Sequence, residues 1–345
     1  MASSYTYAPS YTYPGKLPTE LYRKPSILTP ALSDMFTVRQ NIRTDEYLVL
    51  VGQLEKLLVA TTGCSPSYTT SGSFSDRKIS VGKFEANLQW CKSDFIATAS
   101  ALTEDESFVA NGLDGYEVTA KVRGIWMDEM IDAIRRDIWR IALFSNDTST
   151  NANYNVIEGL WVKLLDAFSS YCVKAVGNNF PNQYNSVLAA DQAYDALKAT
   201  FNGASTILKQ LPNSEKLFWV TGSVFENLMA SYENKSGGTE TQFRLITDGS
   251  GEVLKYRGID VRPLYIADNY LEDSTNPWYN NMRHFIVYTP KGGSKYSNLV
   301  FGTESASDLD RIDMFYDQKL KTSYAQYESR FGVQFIHCDL TAIYH

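Results

Sequence analysis

With 345 residues, 44% of them hydrophobic and 21% charged, the chain is long enough for one large core or two closely joined ones and is unlike a disordered polymer. A formal net charge of −7 argues against a protein whose main task is gripping nucleic acid. No run approaches the roughly 20 apolar residues of a membrane span, and no secretory signal is read at the start.

Four scattered cysteines, Cys64, Cys91, Cys172 and Cys338, form no CxxC and suit reduced cytoplasmic thiols better than a disulfide framework. The chain opens with two near-copies of SYTY. Tyr5, Tyr7, Tyr11 and Tyr13 carry large apolar area, while Pro9, Pro14, Pro18, Pro25 and Pro30 fix φ and remove donors, so neither a helix nor an inner strand forms there. An extended, partly polyproline-like strap is expected, either disordered or ordered against another surface.

Leu48, Val51, Leu54, Leu57 and Leu58 predict a helix over Thr44–Thr61. TTGCSPSYTTSGSFSD is nearly uncharged and poor in aliphatic side chains. With Ile79, Val81, Phe84, Leu88 and Trp90 after it, it reads as a long exposed hairpin or loop of about 35 residues, a length usually tied to function. GYEVTAKVRGIWMDEMIDAIRRDIWRIALFSN gives the strongest helix signal, its stripe being Val118, Val122, Ile125, Met130, Ile134, Ile138 and Ile141. About 28 residues at 1.5 Å each make a spine of roughly 42 Å.

Ala193, Leu197, Phe201, Ala204, Leu208 and Leu211 predict one further helix in ADQAYDALKATFNGASTILKQL. KLFWVT reads as a buried strand running into a helix that starts at Ser223, which has capping-box spacing to Glu226. EVLKYRGIDVRPLYI reads as two strands about a tight Arg257-Gly258 turn. The last third is β-rich: HFIVYTP, NLVFGT, RIDMFYD and GVQFIHCDLTAIY.

Chemistry is sparse. No Walker loop, GxSxG, GxGxxG or HExxH occurs, and His284, His337 and His345 are too scattered for a general base or metal centre. On a strand, His337 and Cys338 face opposite ways, which favours no chemical role over metal binding. DGSGE at Asp248 lacks the bidentate Glu of a calcium loop, and strand alternation splits Asp308, Asp310 and Asp313 between faces. NDT at Asn146 and NKS at Asn234 match the glycosylation pattern by chance, since no signal leads to that machinery. Trp126, Trp139, Trp161 and Trp219 fall in helix or strand patterns and belong to a core rather than to a sugar-binding face. Catalytic residues, cofactors and metals are therefore not expected.

The order of strap, long hairpin, spine helix, α/β insert and β-rich return resembles the tailed-phage major capsid protein, in the fold named after phage Hong Kong ninety-seven. RKISVGKFEANLQWCKSDF, DEMIDAIRRDIWRIAL, EVLKYRGIDVRPLYIADN, NLVFGTESASDLDRIDMFYD and RFGVQFIHCDLTAIYH look like capsid proteins of phages infecting Bacteroidetes-type bacteria. The resemblance implies an α+β fold with an N-terminal arm (1–43), an extended loop region (44–95) and a peripheral domain with the spine helix (96–155). An inserted axial α/β domain (156–280) and a β-rich return (281–345) complete it. It implies a structural protein, not an enzyme, that assembles through pentamers and hexamers into an icosahedral head around double-stranded DNA, bound without sequence specificity. The expected place is the virion, assembled in the host bacterial cytoplasm, with separate scaffolding, portal and decoration proteins as partners and no membrane. Tyr5, Tyr7, Tyr11, Tyr13, Tyr68 and Phe74 are the expected contacts between subunits. No residue matches the Lys–Asn crosslinking reaction of some members. An encapsulin-like shell enclosing cargo protein is the alternative, and a carbohydrate-binding protein or hydrolase the alternative of another class.

Overall fold

The computed structural model describes residues 30–51, 74–91, 120–170, 172–175, 180, 183, 187–235, 243–248, 251–279, 282–305, 311–317, 319–320 and 322–345. They fall into two compact units. The smaller takes in the described parts of Glu85–Ala133 and Arg311–Glu328, and the larger takes in the rest.

The larger unit begins with a short helix α1 (Leu32–Met35) and strand β1 (Thr37–Arg39). The helix expected over Thr44–Thr61 is, in its described part, strand β2 (Glu46–Val51), paired antiparallel with β3 (Phe74–Ile79) from Glu46↔Ile79 to Val51↔Phe74. Tyr47, Val49 and Val51 alternate with Leu48 and Leu50, and β-branched and aromatic side chains at period two suit a pleated ribbon better than a helix. The expected hairpin thus has its first arm at Glu46 rather than beyond Thr61. Its base is a small core of Ile42, Leu48, Ile79 and Val300. Strand β4 (Gly82–Cys91) follows, with Phe84 stacked on Phe331 at 4.0 Å between ring centres.

The spine helix α2 spans Ala120–Phe144, and its 25 residues give a length of roughly 37 Å. Met130, Ile134, Ile138 and Ile141 of the expected stripe are buried, whereas Val118 lies outside the described residues. In the larger unit Phe36 packs against both Trp139 and Phe301, and the Trp139 indole donates to the Pro30 carbonyl at 3.1 Å.

Helix α3 (Leu160–Ser169), not expected from the sequence, buries Leu160, Trp161, Leu164 and Ala167. Strand β5 (Lys174–Ala175) comes next. The single helix expected from Ala190 to Leu211 is two, α4 (Gln192–Gly203) and α5 (Thr206–Gln210). Ser205 breaks it: its extended backbone and its hydroxyl, accepting from Leu208 N–H, form a new N-cap. The buried positions still include Ala193, Leu197, Ala204 and Leu208.

Strand β6 (Lys216–Val220) is buried throughout and leads into α6 (Gly222–Lys235). Strands β7 (Phe243–Asp248), β8 (Gly251–Tyr256) and β9 (Ile259–Pro263) follow. Arg257 (φ 52°) and Gly258 (φ 81°) form the expected tight turn, and positive φ at both positions is what a two-residue hairpin requires. After helix α7 (Tyr265–Leu271) come β10 (Ile286–Pro290) and β11 (Leu299–Thr303), both buried throughout. Strand β12 (Asp313–Asp317) precedes the 14-residue β13 (Thr322–Phe335) and a final β14 (Ala342–Tyr344).

One seven-stranded sheet runs β5-β14-β10-β6-β9-β8-β7. Its core gathers Phe218, Val220, Leu254, Tyr256, Ile286 and Tyr288 with the inner faces of α4 and α6. Also in the larger unit, β1 lies parallel to β11, which pairs antiparallel with Thr303↔Phe331 to Leu299↔Phe335 of β13. In the smaller unit β12 pairs with Thr322–Gln326, and Phe315 stacks on Tyr324 at 5.1 Å.

Candidate functional site

The β2–β3 ribbon has two unlike faces because side chains alternate along a strand. Leu48 and Ile79 point into the small core at its base. On the other face Tyr47, Val49, Val51 and Phe74 are 59%, 68%, 69% and 75% exposed. Val51 sits opposite Phe74, so the four make a continuous apolar strip, bordered by Asp76 and Lys78. Phe74 was an expected contact residue and stands on this strip. Tyr5, Tyr7, Tyr11, Tyr13 and Tyr68 lie outside the described residues. Tyr47, Val49 and Val51 were missed because they were assigned to a helix; their period-two alternation was the available signal.

Beside the ribbon's base, Arg43, Thr44, Asp45, Val81, Lys83 and Arg330 line an open cleft of about 420 Å³. Arg43 pairs with Glu304 at 2.9 Å, and Arg330 reaches the same carboxylate at 3.9 Å. Lys78 pairs with Asp45 at 2.5 Å, and that hydrogen bond is the main reason the Asp45 carboxyl lies below its ordinary range. These are exposed pairs, which fix orientation more than they stabilise.

Cys172 and Cys338, expected as free thiols, are instead joined as a disulfide with 5.0 Å between Cα atoms. The expectation failed because the residues are 166 positions apart, and only the end of α3 meeting the turn at Cys338–Leu340 brings them together. That turn also removes the alternation expected of His337 and Cys338, since Cys338 is not in a strand. Arg77 of β3 donates from Nη2 to both sulfurs, at 3.0 Å and 2.9 Å.

The arrangement closest to a catalytic one is Ser223 Oγ at 2.7 Å from His284 Nδ1, at the start of α6 just after β6. His284 is fully buried, and the Gly222 N–H beside Ser223 donates to Asp268 Oδ2 at 2.7 Å. Asp268 thereby takes the capping role expected of Ser223, and α6 begins one residue earlier, at Gly222. Burial raises the Asp268 carboxyl to about 6 against the pull of those backbone donors. Another buried charge, Lys163 of α3, donates to the Val333 carbonyl at 2.7 Å, and burial holds its pKa down. Among the described residues no His, Cys, Asp and Glu cluster suits a metal ion, and no helix is long and apolar enough to cross a membrane.

No protein-family model matches the chain, and no curated protein sequence does. Solved structures do. A structure from Mycobacterium phage Ogopogo is similar with a TM-score of 0.58 and 12% identity, covering 96% of each chain. The capsid of Myoviridae phage XM1 gives 0.57 and 10%, again over 96% of each. The capsid of the native GTA particle gives 0.55 and 11%, over 94% of this chain and 98% of that one. The chain therefore has the mixed α+β, Hong Kong ninety-seven-type fold of phage capsid subunits over nearly its whole length.

Proposed function

We propose that the chain is the major capsid protein of a tailed phage, building an icosahedral head from pentamers and hexamers around double-stranded DNA. The observation that carries this reading is the apolar strip of Tyr47, Val49, Val51 and Phe74, left open in a chain that spans 96% of the XM1 capsid structure. A subunit that must bury large complementary surfaces against its neighbours leaves such area uncovered when alone. The net charge of −7 suits a lumen whose DNA must later leave, since dense positive charge would hold phosphate.

The same reading assigns 1–43 to an arm, 44–95 to the extended loop, 96–155 and 281–345 to the peripheral domain and 156–280 to the axial domain. Tyr5, Tyr7, Tyr11, Tyr13 and Tyr68 join Phe74 as contacts with neighbouring subunits. The head forms in the cytoplasm of a bacterial host, of the Bacteroidetes type by the motif series, with scaffolding, portal and decoration proteins as its partners.

Expression of the full chain, followed by electron microscopy and sedimentation, tests the proposal. Closed shells or sheets of pentamers and hexamers are expected. Monomer alone at high concentration, with a scaffolding protein present, overturns it. Removing the first 30 residues is expected to leave the melting temperature of the monomer nearly unchanged while particles become few or malformed. Normal shells from that variant remove the arm from the proposal.

A further inference from the structure

We propose that Cys172 and Cys338 are a redox-active pair, set in an electropositive niche made by Arg77, that opens under a thiol reductant and closes under a thiol oxidant. Arg77 Nη2 stands 3.0 Å from Cys172 Sγ and 2.9 Å from Cys338 Sγ. The guanidinium carbon also lies over the Phe335 ring, 4.0 Å from its centre. Both sulfur-bearing residues are only partly buried. Buried structural cysteines are inert, whereas reactive cysteines lie in partly exposed, electropositive surroundings. The titratable groups next in sequence are Lys174, His337 and Asp339. The His337 imidazole is held below its ordinary value by burial and then by Arg77, which marks the same positive field.

Arg77 acts on the chemistry through the thiolate. An incoming thiolate attacks one sulfur, the S–S bond breaks, and its electron pair moves onto the sulfur that leaves beside the guanidinium. A second incoming thiolate then attacks the small-molecule sulfur of this mixed disulfide; that S–S bond breaks with its electron pair going to the protein sulfur, which releases a small-molecule disulfide and leaves two protein thiols or thiolates. The sequence runs backwards with a small-molecule disulfide as oxidant. A fixed positive charge stabilises the thiolates, so it favours the reduced form and lowers the barrier to leaving. Arg remains protonated at every relevant pH and supplies that charge without titrating. When closed, the pair ties the end of α3 to the turn before β14; when open, that tie is absent. Resting on the capsid reading, the pair is open in the reducing cytoplasm where the chain is made and closed in the released particle.

Unassembled protein equilibrated in glutathione buffers and trapped with iodoacetamide tests the chemistry independently of any shell. The Cys172→Ser, Cys338→Ser double variant supplies the background from Cys64 and Cys91. Millimolar glutathione is expected to reduce the pair. In Arg77→Gln the midpoint is expected to need an about tenfold more reducing buffer, with the alkylation midpoint of the reduced protein rising by about one pH unit. Arg77→Lys, which keeps the charge, is expected to stay near the wild type. An alkylation midpoint at or above the ordinary thiol value of about 8.5 in the wild type overturns the proposal. So does a pair that resists glutathione, or equal shifts in Arg77→Gln and Arg77→Lys, which would reduce Arg77 to packing. Free Cys172 and Cys338 thiols in released particles would overturn the assignment of stages and leave the redox chemistry standing.

Discussion

In β6 every residue from Lys216 to Val220 is buried, whereas in β2 Tyr47, Val49 and Val51 are 59%, 68% and 69% exposed. Both strands are rich in aromatic and β-branched residues, so composition does not separate them. What differs is the neighbourhood. Strand β6 has β10 and β9 on its two edges and helices over its side chains, while β2 has β3 on one edge and one face resting on a small core. The seven-stranded module completes its burial within one chain. The hairpin completes half of its burial and presents the other half outward.

The largest effect is expected where burial is complete. Phe218 is fully buried and stacked on Tyr288 with ring centres 4.3 Å apart, so Phe218→Ala should cost the subunit about 3–5 kcal/mol in denaturant unfolding. A loss below about 1 kcal/mol would mean that the module is looser than its burial implies. A smaller, pH-dependent effect is expected from Asp268 in the same module. Its folded pKa of about 6 lies above the ordinary carboxyl value of 3.8, chiefly through burial. The folded chain therefore holds this proton more tightly than the unfolded one, and its contribution to stability is full below about 4 and lost as pH rises to about 6. The stability of Asp268→Asn minus that of the wild type should grow across that window and level off above it. A difference that does not change with pH contradicts the assignment.

The smallest effect on the isolated subunit is expected from the hairpin. Val49→Ser with Phe74→Ser should change unfolding by no more than about 0.5 kcal/mol, because both side chains already face water. The same variant should fail to form particles. Normal particles, or a large loss of stability, would place this strip outside the assembly surface.

The legible parts of the fold were those in which local pattern and tertiary fate agree. KLFWV has too many consecutive apolar residues for any place but a buried strand, and Arg257-Gly258 meets the demand for positive φ at a tight turn. The spine helix showed itself through a stripe long enough to exclude a strand. Residues 46–51 failed because Leu48, Val51 and Leu54 fit helical spacing while Tyr47, Val49 and Val51 fit alternation, and the choice rests on a partner strand beginning at Phe74. Ser205 interrupts a helical stripe without changing it, so only its N-cap geometry reveals the break. Of the residues on the exposed strip, Phe74 was named from the sequence, and Tyr47, Val49 and Val51 were passed over. The link between Cys172 and Cys338 leaves no local trace, since it depends on where two distant turns come to rest.

The pairing of β1 with β11 sets a schedule for folding. Val38 lies beside Phe301, and the core beneath the hairpin needs Val300 as well as Ile42, Leu48 and Ile79. At about 5–20 residues per second, ribosomes take on the order of ten to fifty seconds to travel between these positions. Through that interval the hairpin arms can pair with each other but have no floor to rest on, and closing so long a loop makes the step slow even afterwards. A nascent chain therefore carries an adhesive ribbon without a fixed bearing. On the capsid reading proposed above, neighbouring chains on one messenger meet it as an unseated edge rather than as a seated surface, so ordered polymerisation waits until each subunit has closed this long-range contact.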